Sequence, residues 1–235
     1  MHIFEAIRQA LFVPIHPAGW PFVAIFAVIG VVLTLIWDML FFPSLILTLW
    51  CVYFFRNPLR TTPQRDGLVV APADGRVIGV DELPVPEELD LPEGKYVRVA
   101  IFMNVFDVHV NRAPMAGVIT DKFYFPGAFF NASLDKSALE NERLGLVMES
   151  DSGQKIGFIQ IAGFVARRIL CDAIEGDRLS TGQHYGLIRF GSRVDVWLPK
   201  PVKTIVLPGQ KTLAGETILA DYGRGAKAVT EGLTR

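Results

Sequence analysis

Two cysteines and four histidines are all that this 235-residue chain offers in strong metal-ligand side chains. Cys51 falls in an apolar block and Cys171 far downstream, with no CxxC or Cys/His spacing around either, so neither a structural zinc nor a disulfide is expected. That usage suits a reducing compartment. Charge of one sign is lacking too: the formal net charge is -1 and the pI about 6.4. Nucleic-acid binders usually carry a concentrated basic face, so nucleic acid is not an expected partner. No GxGxxG or P-loop pattern supports nucleotide chemistry, and no GxSxG elbow supports an ordinary serine hydrolase.

A long hydrophobic run is present. Phe22 to Phe55 is almost unbroken in apolarity, with Asp38 inside it and Pro43 a little beyond. As one helix it would extend roughly 50 Å, well beyond a hydrocarbon core of about 30 Å. A break at Trp37-Asp38 gives two arms of about 16 and 17 residues, a hairpin that either spans tightly or inserts shallowly. Trp20, Trp37 and Trp50 are candidate interfacial anchors. A cleavable signal peptide fits poorly, because prolines 14, 17 and 21 follow the charged start and no small-residue cleavage site appears. Arg8 before the run and Arg56, Arg60 and Arg65 after it place both flanks on the cytoplasmic face of the inner membrane by the positive-inside rule. A membrane-associated hairpin with its basic flank is expected over 1–65 and a β-rich domain over 66–235.

From Leu68 onward, short apolar or alternating runs are separated by Gly, Pro and Asp: Leu68 to Ala71, Arg76 to Val80, Tyr96 to Met103, Gly117 to Phe125, Lys155 to Ala162, Tyr185 to Phe190, Arg193 to Leu198 and Thr204 to Leu207. The expected class is mainly β, a sandwich or barrel-like hybrid with few short helices. Asp135 to Arg143 reads as a short helix with an exposed polar face, and Glu82 to Gly94 as a surface loop.

His109 lies in Phe106-Asp-Val-His-Val-Asn-Arg-Ala-Pro114, with Asp107, Asn111 and Arg112 expected on its alternating face, and is the leading proton-transfer candidate. Asp74, in the turn Ala71-Pro-Ala-Asp-Gly75, would orient that imidazole if the fold brings them together. Gly191-Ser192 is the sole Gly-Ser step in the chain and stands between two strand-like runs. There the Ser192 hydroxyl can attack the carbonyl of Gly191 in an N-to-O acyl shift while a base accepts its proton.

With these segments in hand, the chain resembles the phosphatidylserine decarboxylases in their short bacterial form. The likeness rests on Ala71-Pro-Ala-Asp-Gly75, Asp107-Val-His-Val-Asn-Arg-Ala-Pro114, Asn141-Glu-Arg143, Ile161-Ala-Gly-Phe-Val-Ala-Arg-Arg168 and Phe190-Gly-Ser-Arg-Val-Asp195, in that order behind a hydrophobic hairpin. The resemblance implies a proenzyme that cuts itself between Gly191 and Ser192 into a large and a small subunit. Elimination and hydrolysis would then turn Ser192 into a covalent pyruvoyl cofactor. That group would take phosphatidylserine from the membrane as a Schiff base and release carbon dioxide and phosphatidylethanolamine.

Asp74 and His109 are the implied helpers in cleavage. Lys136, Asn141, Arg143 and Arg112 are candidates for the anionic headgroup, with Arg167 and Arg168 ranked below them. Longer members carry His-x-x-His where this chain has Arg112 at the second position, and Leu-Gly-Ser-Thr where it reads Phe-Gly-Ser-Arg. Two other readings compete: a membrane-tethered, non-catalytic hybrid-barrel binding module, and the same chemistry on a related serine-bearing lipid. The sequence leaves a homo-oligomer open.

Overall fold

The computed structural model describes residues 13–127, 132, 140–163, 168–189, 191–223 and 231–234. The chain divides into two compact units with the boundary between Leu59 and Arg60.

The first unit is a helical hairpin. Helix α1 (Trp20–Ile36) and helix α2 (Phe41–Phe54) are joined through an extended Trp37 and a short 3-10 turn at Asp38–Leu40. The break falls where Asp38 interrupts the apolar run, which makes the second arm 14 residues rather than 17. Small residues let the arms approach: a Cβ added at Gly30 would stand 3.0 Å from the Cβ of Ser44. Stacked rings of Phe22 and Phe55 close the open end. Pro17–Ile36 is long and apolar enough to cross a membrane, and its last residues Leu35 and Ile36 and the following Trp37 are exposed.

The second unit is mainly β, as its alternating runs require. Its first strands are β1 (Thr61–Pro63), β2 (Leu68–Val70), β3 (Gly75–Leu83), β4 (Tyr96–Met103), β5 (Val110–Arg112) and β6 (Gly117–Phe125). Next come β7 (Arg143–Glu149), β8 (Lys155–Ala162), β9 (Ile169–Cys171), β10 (Arg178–Leu179) and β11 (His184–Ile188). The last are β12 (Ser192–Pro199), β13 (Lys203–Thr204), β14 (Lys211–Thr212), β15 (Ile218–Asp221) and β16 (Gly232–Thr234). An eight-stranded antiparallel sheet runs β10-β6-β7-β8-β12-β4-β3-β14, flanked by small sheets β5-β11-β9 and β13-β15-β2 and by the pair β1-β16.

Alternation along the central strands sets two faces. On the inner face Val194, Val196 and Leu198 of β12 pack with Val99, Ile101 and Met103 of β4 and with Ile156 and Phe158 of β8 in the main core. Each such side chain contributes about 1.5–3 kcal/mol when fully buried. On the outer face Trp197, Ile159, Ile161 and Val147 form a second cluster capped by Leu89 of the acidic loop. A cavity of about 920 Å³ opens there between Pro84–Glu88 and Trp197.

The expected polar helix also changes. Arg143 opens strand β7 instead of closing a polar helix, and Asn141 is fully buried. The rest of that expected helix, with Lys136, lies outside the described residues, as does Arg167.

Candidate active site

Antiparallel pairing brings five distant segments to one end of the large sheet. Ser192, at the start of β12, is opposite Met103 at the end of β4 and Ala162 at the end of β8. Gly75 begins β3, and its Cα packs so closely on β4 that an added Cβ would lie 2.2 Å from the carbonyl of Phe102. Glu142, just before β7, accepts the amide of Ala162 at 2.9 Å. The Asp107 to Pro114 segment follows β4 at the same end, and its Arg112 amide bonds the Pro72 carbonyl at 2.9 Å.

His109 is fully buried. Its Nδ1 faces the backbone carbonyl of Asp107 at 3.0 Å. A carbonyl only accepts, so Nδ1 carries the proton and Nε2 is left as the acceptor. That nitrogen receives the N–H of Gly191 at 3.2 Å. The imidazole therefore presents its basic side to the residue that precedes Ser192.

Gly191 has φ +68°, the left-handed region that glycine enters without penalty. Its carbonyl lies against Gly163 so tightly that a Cβ there would be 2.0 Å from the oxygen. Gly163 is held in turn by Asn141, whose Nδ2 donates to the neighbouring Ala162 carbonyl at 2.7 Å. The sequence suggests Asn141 for the substrate headgroup and gives Gly163 no role. Their contacts span 21 and 28 positions of the chain, a proximity that no local pattern reports.

Ser192 is fully buried, and its Oγ rests on the Met103 thioether at 3.9 Å. The next side chain, Arg193, projects to the outer face and is wholly buried in a two-point ion pair with Asp195, Nε to Oδ1 at 2.5 Å and Nη2 to Oδ2 at 2.9 Å. This pair pins the first residues of β12 from behind.

Asp74 is buried at the same sheet end. Its Oδ2 accepts from Arg60 at 2.6 Å and its Oδ1 from the Ala214 amide at 2.8 Å. Asp107 closes its own turn by accepting from the Asn104 amide at 2.9 Å. Arg112 is buried and donates to the Gly182 carbonyl at 3.0 Å, while its neighbour Asn111 contacts Pro72, Met103 and Gln160. Arg112 and Asn111 thus project to opposite sides of β5, and the expected shared face with His109 does not include Arg112.

Arg143 pairs with Glu88 and lies 4.8 Å over the Phe125 ring, on the face away from the Ser192 side chain. Burial opposes ionisation of Glu88, but the Arg143 hydrogen bond prevails and holds its pKa below the usual carboxylate range. Arg65 is likewise engaged by Asp221. Among the described residues no group of three or more His, Cys, Asp or Glu side chains is arranged to hold a metal.

Comparisons with known proteins place the chain in a family. Residues 47–220 match the family model described as phosphatidylserine decarboxylase. A relative from Ruegeria pomeroyi, named phosphatidylserine decarboxylase proenzyme, is 52% identical over 215 residues, covering 92% of this chain and 98% of that one. The matched range spans all five segments gathered at the sheet end, position 192 included, so this chain belongs to the phosphatidylserine decarboxylase family and is an enzyme of that type.

Proposed function

We propose that the chain is a precursor that severs its own Gly191–Ser192 bond, converts Ser192 to a pyruvoyl group, and decarboxylates phosphatidylserine to phosphatidylethanolamine and carbon dioxide. One observation carries this reading: the sole Gly-Ser step stands where five chain segments converge, with His109 Nε2 bonded to Gly191 at 3.2 Å. An N-to-O acyl shift needs a neighbouring hydroxyl, an unshielded carbonyl and a base. Ser192 supplies the first, and Gly191 lacks the side chain that would shield the second. His109 supplies the third by exchanging the Gly191 N–H for the hydroxyl proton at Nε2. Because the Met103 sulfur is a weak acceptor, the hydroxyl is held loosely and remains free to turn toward the carbonyl.

Position 192 fits a small keto group. It is fully buried against the apolar Met103, and the ladders of β4 and β8 hold its strand on both sides. When formed, the pyruvoyl group supplies a carbonyl for the substrate amine and an adjoining amide that accepts the electrons left by carbon dioxide. The chain's own residues then position and protect. The Arg193–Asp195 pair keeps the new terminus in register, His109 holds and returns a proton at Nε2, and Asp74 with Arg60 sets the charge at the sheet end. Lys136 is the headgroup contact we favour, since Asn141, Arg112 and Arg143 are committed to the partners described above.

The hairpin would hold the enzyme on the bilayer where its diacyl substrate resides, and Arg8 and Arg56 favour the cytoplasmic face of the inner membrane. Arg56 lies 3.7 Å over the Tyr53 ring at the end of α2. The test is a comparison of wild type, Ser192→Ala and His109→Ala on phosphatidylserine in detergent. Wild type should run as two fragments and release carbon dioxide, Ser192→Ala should stay whole and inert, and His109→Ala should cut about 10²–10⁴-fold more slowly. An uncut wild type with full activity would refute the proposal, and activity on another serine-bearing lipid alone would reassign the substrate.

A further inference from the structure

Beneath Ser192, on the inner face, lies a polar pair to which the proposed cleavage gives no role. Asn111 and Gln160 are both fully buried. Gln160 Nε2 donates to Asn111 Oδ1 at 2.8 Å. The other end of the Asn111 carboxamide meets the Pro72 carbonyl at 3.5 Å and the Met103 sulfur at 3.8 Å. Pro72 can only accept, so this end is Nδ2 and the amide has one orientation. Its two partners are a carbonyl at the limit of hydrogen-bond distance and a thioether, which leaves a buried donor weakly used. The same Met103 sulfur receives the Ser192 hydroxyl at 3.9 Å, so the donor and the reacting oxygen lie against one atom.

Gln160 also carries a cost. Its Oε1 is buried without a hydrogen-bond partner among the described residues, a condition that usually destabilises a protein by about 1–3 kcal/mol. A side chain kept buried under that penalty while its Nε2 fixes a second amide acts as an orienting group.

We infer that Asn111, oriented by Gln160, is the hydrogen-bond donor that assists departure of the Ser192 Oγ during conversion of the cut chain. The inference rests on the proposed cleavage at Gly191–Ser192. After the acyl shift, Oγ links Ser192 Cβ to the Gly191 acyl group as an ester. A base takes the Cα proton of residue 192, the C–H pair becomes the Cα=Cβ double bond, and the Cβ–Oγ bond breaks. Oγ leaves with its electron pair as part of the Gly191 carboxylate. Negative charge grows on the ester oxygens in that step, and a preorganised amide donor beside them lowers its barrier. Without the donor, water competes and hydrolyses the ester, which leaves an ordinary serine at the new terminus.

The experiment measures the terminus of the small fragment by denaturing mass spectrometry, with wild type as the control for the cleavage itself. Asn111→Asp preserves shape and the bond from Gln160 but replaces the donor with an acceptor. It should slow keto formation roughly 10²-fold relative to wild type and shift the cut product toward serine-ended fragment. Gln160→Leu keeps the donor but frees it to turn, and should give a mixture of both ends. If wild type is uncut, the cleavage reading itself fails. A wild type that yields keto-ended fragment, together with either variant giving the same end at the same rate, would overturn the role of the pair alone. A purely structural role predicts slower cleavage with an unchanged ratio of serine to keto ends, and that result would overturn it too. Should Asn111→Asp not fold, Gln160→Leu decides the question.

Discussion

Replacing Gly163 by alanine probes the geometry of the Gly191–Ser192 bond, the proposed cleavage site, without touching any reactive group. The added Cβ would be 2.0 Å from the Gly191 oxygen, whereas a carbon and a carbonyl oxygen settle at about 3.3 Å. The end of β8 or the Gly191 carbonyl must therefore move by about 1.3 Å. Gly163 does not have the left-handed backbone that disfavours side chains, so the effect is steric and local. Overpacking of this kind costs about 1–3 kcal/mol, within the 5–15 kcal/mol by which a domain is stable, so the variant should fold. A misplacement near 1 Å at reacting atoms costs on the order of 10²-fold in rate. Self-cleavage followed by denaturing gel over time should thus slow by about 100-fold, while the thermal transition shifts modestly. Gly94→Ala, whose Cβ would meet only a Tyr96 ring atom at 3.7 Å, serves as the control and should cut normally. Cleavage of Gly163→Ala at the wild-type rate would refute the assigned position of the carbonyl.

Four further outcomes follow from the same geometry. Arg193→Met removes the two-point pair from the buried Asp195 carboxylate and should cost about 3–5 kcal/mol in urea unfolding, while Arg193→Met with Asp195→Leu should recover most of it; a single variant as stable as wild type would contradict the clamp. The cut fragments should co-elute under native conditions and separate only in denaturant, because β12 is bonded to β4 along eight residue pairs and to β8 along six; spontaneous release of the small fragment would contradict this. Glu88, whose pKa is lowered, contributes stability that is present above the ordinary Glu value and lost as pH falls through its folded value. The stability gap between wild type and Glu88→Gln should accordingly be open at pH 7 and close in acid, and a gap that widens in acid would reverse the sign. Removal of residues through Phe55 should lower activity on phosphatidylserine vesicles far more than on short-chain substrate, and equal losses would refute a docking role for the hairpin.

Much of the architecture could be read from pattern alone. Tyr96–Met103, Gly117–Phe125 and Lys155–Ala162 are strands with the bounds their sequence suggests, since each apolar run ends at a turn residue. The hairpin break at Trp37-Asp38 was equally legible, because one carboxylate interrupts an otherwise apolar stretch. Strand β7 was not: Leu144 to Met148 is buried on both faces and shows no alternation, so its start merged with the polar residues before it. Ser192 and His109 are visible as types in distinctive neighbourhoods, but His109's orientation through the Asp107 carbonyl depends on the folded turn. The Arg193–Asp195 pair had a signal that sequence reading passed over, since residues two apart on a strand share a face. Asn111 with Gln160 and Gly163 with Gly191 had none. Their partners are 49 and 28 positions away, and burial turns an ordinary polar or small residue into one the site depends on.

If the proposed self-cleavage occurs, position 192 ceases to be a serine. Denaturing mass spectrometry of turnover-competent protein, with the small fragment isolated and reduced by borohydride, reads that change. Two chains divided between Gly191 and Ser192 are expected, with a reducible keto group at the start of the second. A single uncut chain with an intact serine, active on phosphatidylserine, would contradict it.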